Sequence, residues 1–124
     1  MSRRVTAAEY RSLLVDDEAD VQRRILVALA DMGIEADRTQ SGKRSGGKMN
    51  LGKPGRPDVT GYLPNGRYLG IEVKRPGEKI IPGSEQDLWH QRARKAGCAV
   101  TCVDNLRDAI AFVQSALREP WPTR

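Results

Sequence analysis

Three side chains of this 124-residue chain could share one chemistry: Asp58, Glu72 and Lys74. Asp58 closes the run Gly55-Arg56-Pro57-Asp58, and Glu72-Val73-Lys74 begins fourteen residues after it. On a strand, residues two apart project to the same face, so Glu72 and Lys74 point together while Val73 points away. Two carboxylates suit a hard divalent cation, and an ammonium beside them suits a charge-rich anionic transition state. Together these groups form a compact set for metal-dependent cutting of phosphodiesters.

A hairpin must bring them together. Val59-Thr60-Gly61-Tyr62-Leu63 and Tyr68-Leu69-Gly70-Ile71 are β-prone runs on either side of Pro64-Asn65-Gly66-Arg67. Asn-Gly between such runs is a strong short-range hairpin signal, and the hairpin folds Asp58 back toward Glu72.

A third acid comes from a helix. Asp16 or Asp17 can cap a helix running to about Met32, with Gly33 as its stop. Val21, Ile25, Ala28, Leu29 and Met32 share one face at helical spacing, and Glu18 falls inside that apolar arc. A carboxylate aimed at the core side is costly unless something pairs with it. The plainer reading is a first-turn acid favoured by the helix dipole, and Asp17, near the edge of the arc, competes for the metal-site role.

Beyond Lys74, Arg75-Pro76-Gly77-Glu78-Lys79 reads as a turn. Ser84, with Asp87 at the capping-box position, opens a helix through Ala96 that ends at Gly97. Gln86 sits in its first turn, within reach of the strand ends. Trp89, Ala93 and Ala96 read as its core-facing stripe, and His90, the single histidine, as a surface or interface residue. A strand at Ala99–Val103 follows. Asn105 then caps a last helix carrying Leu106, Ala109, Ile110, Val113 and Leu117. A strand-helix-strand step from Glu72 to Val103 predicts a parallel crossover in a mixed sheet with helices on both faces. The expected class is α/β in the order α-β-β-β-α-β-α.

Between a short first strand at 35–39 and Asp58 lies a long irregular stretch, Gln40 to Arg56. Its glycines give freedom, and Lys43, Arg44, Lys48, Lys53 and Arg56 give it charge. Loops of this length in a small domain are commonly functional or disordered. The preferred reading is an arm that contacts a nucleic-acid backbone; a solvated linker is the alternative. Cys98 and Cys102 flank a strand-like run, about 13 Å apart at strand rise, too far for a disulfide. They read as buried reduced thiols, with too few ligands nearby for zinc.

The length suits one domain, read as residues 16–118 with a leader at 1–15 and a tail at 119–124 that lies over the surface. A net charge of +5 is a fair footprint for a nucleic-acid partner. No apolar run suits a bilayer or a signal-peptide core, so the expectation is a cytoplasmic, non-secreted protein with no membrane partner.

The ordered set resembles the PD-(D/E)xK nuclease superfamily, and within it the small VRR-NUC type. It comprises helix-borne Glu18 with Gln22 four residues on, Gly-x-Pro-Asp ending at Asp58, Glu72-Val73-Lys74, and Gln86 after a basic turn. The resemblance spans roughly residues 16–114 and implies a restriction-endonuclease-like core. It also implies Mg²⁺ or Mn²⁺ held by Glu18, Asp58, Glu72 and the Val73 carbonyl, with no small-molecule cofactor. Lys74 would act on the attacking water or the pentavalent anion, and Gln86 would position Lys74 or the phosphate. Stand-alone members of this type imply a homodimer that cuts branched DNA such as four-way (Holliday) junctions. The alternatives are a flap or nicking nuclease, or a catalytically idle nucleic-acid-binding module of the same fold. A transcriptional regulator ranks last, because no convincing helix-turn-helix is present.

Overall fold

A computed structural model describes Thr6 and residues 17–39 and 55–119. The expected leader apart from Thr6, most of the basic loop and the Pro120-Trp121-Pro122 tail lie outside the described residues. The elements are α1 (Glu18–Asp31), β1 (Glu35–Arg38), β2 (Val59–Tyr62), β3 (Tyr68–Val73), α2 (Glu85–Lys95), β4 (Ala99–Val103) and α3 (Leu106–Arg118). This is the α-β-β-β-α-β-α order expected from the sequence.

Each helix starts where a short polar side chain can replace a missing intrahelical partner. Asp17 accepts from the Asp20 amide at 2.7 Å, Ser84 from Asp87 at 3.2 Å and Asn105 from Asp108 at 2.8 Å. Gly33 and Gly97, both at positive φ, take the chain out of α1 and α2.

The four strands lie in the order β1-β2-β3-β4. β1–β2 and β2–β3 pair antiparallel, and β3–β4 pair parallel, with Glu72 opposite Cys102. The β2–β3 hairpin is wider than an Asn-Gly pair alone would make it. Its last strand pair is Tyr62 with Tyr68, and the Leu63 amide bonds the Arg67 carbonyl at 2.9 Å. Leu63 is fully buried, so the loop is drawn inward by its own apolar side chain.

Strand alternation divides the molecule into two sides. Leu69, Ile71 and Val73 join Val21, Ile25 and Leu29 of α1 and Ala109, Val113 and Ala116 of α3 in the main core. Tyr68, Gly70 and Glu72 face the other way, toward α2. No helix among the described residues is long and apolar enough to cross a membrane.

One helix phase differs from expectation. In α2 the buried residues are His90 and Ala93, whereas Trp89 is half-buried and Ala96 exposed. The cause is the polar side of the sheet: Gln86 turns inward to meet Glu72, and His90 and Ala93 lie on the same stripe at four and seven residues on. His90 is thus a core histidine, 1% exposed, with neither ring nitrogen hydrogen-bonded. Burial, then the charge of Arg94, lowers its pKa and favours the neutral ring. In α3 the expected stripe buries Ala109 and Val113; Ala116 joins it, and Leu117 at its edge is 37% exposed. Cys98 and Cys102 are free thiols, but half-buried rather than fully enclosed.

Candidate active site

The Gly55–Asp58 segment reaches the sheet through a narrow gap, and its composition suits that route. Gly55 has φ +86°, and a Cβ there would lie 2.5 Å from the Glu85 carbonyl oxygen at the start of α2. Pro57 packs over Gly70, where a Cβ would come within 2.7 Å of the proline ring. A glycine at each crowded point allows this close approach. Asp58 is then held from two sides. Its carbonyl accepts from the Thr39 amide at 2.7 Å, and its Oδ2 accepts from the Val73 amide at 2.8 Å.

Glu72 lies near the end of β3, 3% exposed. Its Oε1 accepts from Gln86 Nε2 at 3.1 Å and lies 3.9 Å from Lys74 Nζ. Its Oε2 is buried without a hydrogen-bond partner. Burial, then the negative charge of the adjacent Asp58, push the Glu72 pKa up to about 8. Lys74 opposes the rise, and Glu18 adds to it. The rise means that burial and the neighbouring negative charge favour the neutral form of Glu72 in the metal-free protein.

The structure therefore brings Asp58, Glu72, Lys74 and Gln86 together. Glu18 is the first residue of α1, half-buried, and close enough for its charge to act on Glu72. Arg38, at the end of β1, bonds the Ala19 carbonyl at 3.1 Å and ties the first turn of α1 to the sheet. Asp17 is exposed and occupied as the N-cap. Val73 turns its side chain into the core and gives its amide to Asp58.

Among the described residues, no three His, Cys, Asp or Glu side chains gather as a ready-made metal site. The donors present still fit one cation chemistry. Mg²⁺ keeps several waters and binds through one or two carboxylates. The Asp58–Glu72 pair, with its costly charge and unpartnered oxygen, is such a donor set.

A cleft of about 620 Å³ opens beside this group, lined by Lys74, Lys79, Glu78, Glu85, Ser84 and Gln86 among others. Lys79 adds a second ammonium that the sequence presented only as part of a turn. No local pattern marked it, because its place depends on how the 75–83 connection folds back. Of the five basic residues assigned to nucleic acid, Lys43, Arg44, Lys48 and Lys53 lie outside the described residues. Arg56 is half-buried and lines a different pocket, on the α2 side of the sheet.

No sequence-family model matches the chain, and no curated protein sequence matches it significantly. A solved structure described as a VRR_NUC domain is similar to it, at 24% sequence identity and a TM-score of 0.61. The match covers 78% of this chain and 94% of that one. The chain has the fold of a VRR_NUC domain.

Proposed function

We propose that this chain is a divalent-metal-dependent DNA endonuclease, acting on branched DNA such as four-way junctions as a homodimer. The observation that carries the reading is the Asp58–Glu72 pair beside Lys74, with one buried Glu72 oxygen left without a partner. A carboxylate pair whose charge is made costly by burial suits a cation, and Lys74 and Lys79 in the adjoining cleft, which Glu78 and Glu85 also line, suit a phosphate. The shared fold with a VRR_NUC domain adds support.

Asp58 and Glu72 would hold Mg²⁺ or Mn²⁺, with the Val73 carbonyl and Glu18, directly or through water, completing the set. When bound, the cation neutralises phosphate charge and acidifies water. Lys74 orients the attacking water or stabilises the pentavalent anion. Gln86 fixes the Glu72 carboxylate through the 3.1 Å bond and so acts as a positioning residue. The Lys43–Arg56 arm supplies backbone contacts to DNA. The branched substrate and the homodimer rest on the family resemblance.

A second reading, an idle DNA-binding module, is favoured by the absence of a three-acid cluster among the described residues. One panel separates the two. Labelled four-way, flap, single-stranded and linear duplex DNA are incubated with Mg²⁺, Mn²⁺ or chelator. Metal-dependent cuts, strongest on the four-way substrate, are expected. Binding without cutting under every metal condition would favour the idle module.

A further inference from the structure

On the α2 side of the sheet, an open surface pocket of about 490 Å³ is lined by Arg56, Tyr68, Trp89, Arg92, Ala93 and Cys98. Its size lies in the range of small-ligand sites, roughly 300–1,000 Å³. We infer that this pocket is a subsite for an unpaired nucleotide, with its base stacked on Trp89 and its phosphate held by Arg56 and Arg92. The inference deepens the nuclease reading and rests on it for the substrate class.

Three features point to a nucleotide. The Tyr68 and Trp89 rings lie 6.2 Å apart at 54°, so they already touch each other. They form a wall against which a base can stack, rather than a slot that takes it between them. Base–aromatic stacking is the common device for holding single strands without reading sequence. Next, neither the Arg56 nor the Arg92 guanidinium has an acidic partner among the described residues. Two unneutralised guanidiniums beside an aromatic wall complement a phosphate next to a base.

The third feature is placement. Tyr68 and Glu72 project from the same face of β3, about 13 Å apart at strand rise. Trp89 follows Gln86 by one helical turn of α2, so the helix that positions Glu72 also carries the aromatic wall. Arg56 precedes Asp58 by two residues. Pro57 covers Gly70 between them, so a strand joining the two places would pass over the Arg56–Pro57 segment, with the carboxylates at one end and the aromatic wall at the other. Flaps and single-stranded ends offer unpaired bases; a four-way junction offers one only where a base pair at the crossover opens, and continuous duplex offers none.

The test measures affinity in chelator for oligothymidylate and for a blunt-ended linear duplex, comparing wild type with Trp89→Ala and Trp89→Phe. Trp89→Ala should lower the ratio of single-strand to duplex affinity by roughly tenfold, and Trp89→Phe should restore most of it. If Trp89→Ala fails to fold, the Trp121→Phe protein gives an independent readout, because Trp89 is then the sole tryptophan. Its emission should be quenched as oligothymidylate is added. An unchanged affinity ratio, or emission that ignores the oligonucleotide, overturns the inference. Metal-dependent cleavage with no dependence on Trp89 would sink the subsite and leave the nuclease reading standing. Quenching and Trp89-dependent binding without cleavage of any substrate would do the reverse.

Discussion

Asp58 precedes β2, yet its Oδ2 accepts the backbone N–H of Val73 at the far end of β3, at 2.8 Å. One carboxylate thus links the two strands that carry the candidate site and sets its own distance from Glu72. Asn at position 58 keeps an oxygen for the Val73 amide but removes the charge. Asp58→Asn should therefore retain near-wild-type stability while losing metal-dependent cleavage. Asp58→Ala should lose cleavage and also about 1–3 kcal/mol of stability, the cost of leaving a buried donor unsatisfied. Denaturant unfolding with cleavage assays on both variants checks this. Wild-type cleavage by Asp58→Asn in saturating Mg²⁺ would remove Asp58 from the site.

Glu72 gives a pH signature in metal-free protein. Its folded pKa of about 8 lies above the ordinary carboxylate value, so the folded state holds the proton more tightly than the unfolded chain. Stability in chelator should be greatest at acidic pH, before the unfolded carboxyl ionises, and should fall as pH rises toward about 8. The loss is on the order of a few kcal/mol. Glu72→Gln should flatten this profile and raise the melting temperature at pH 8 in chelator. Mg²⁺ should stabilise wild type at that pH and have much less effect on Glu72→Gln. A flat wild-type profile in chelator would mean that Glu72 is better solvated than its burial indicates.

The fold was legible in the sequence wherever local signals agreed. Asp17, Ser84 and Asn105 begin helices as their capping potential implies, and the period-2 run at 68–73 carries Glu72 on the face opposite Ile71. The expected convergence of Asp58, Glu72, Lys74 and Gln86 came from the hairpin together with the strand-helix-strand step. What local pattern could not give was the phase of α2. Its inner stripe is set by a hydrogen bond to Glu72 and by contact with the polar side of the sheet, so hydrophobicity alone turned Trp89 inward and His90 outward. Arg56 likewise read as one more loop charge, because only the path of Gly55–Pro57 between β3 and α2 shows where it goes.

Asp17 and Glu18 are adjacent but do different work. Asp17 caps α1, so Asp17→Ala should cost about 1 kcal/mol of stability, whereas Asp17→Asn keeps the cap and should be nearly silent. Glu18→Gln should weaken metal affinity or cleavage rate more than Asp17→Asn, because Glu18 is the acid whose charge reaches Glu72. Metal titrations followed by thermal shift, alongside cleavage rates, rank the two. A larger functional loss from Asp17→Asn would reverse the assignment.

For the basic arm, replacing Lys43, Arg44, Lys48 and Lys53 with serine should weaken DNA binding and spare thermal stability. Losing four phosphate contacts should flatten the slope of log K against log salt by up to roughly 3–4 on duplex DNA. Binding of Asp58→Asn protein to a four-way junction across several salt concentrations measures the slope without cutting. An unchanged slope would leave the arm as a linker.

Gly55 and Gly77 together separate backbone strain from crowding. Both have positive φ, +86° and +84°, so alanine at either carries a left-handed penalty of about 1–2 kcal/mol. Only at Gly55 does the added Cβ meet protein, 2.5 Å from the backbone oxygen of Glu85; at Gly77 it meets nothing within 4 Å. Backbone cannot rotate aside as a side chain would, so the 55–57 segment must shift. Pro57 would then lift from Gly70, and Asp58 would move away from the Val73 amide. Gly55→Ala should therefore lose clearly more stability than Gly77→Ala and also lose metal-dependent cleavage, while Gly77→Ala keeps most of its activity. Melting temperatures and cleavage rates of the two variants, measured side by side, decide it. Equal effects would show that Gly55 is needed only for its φ, and that the route of the chain past α2 has slack to spare.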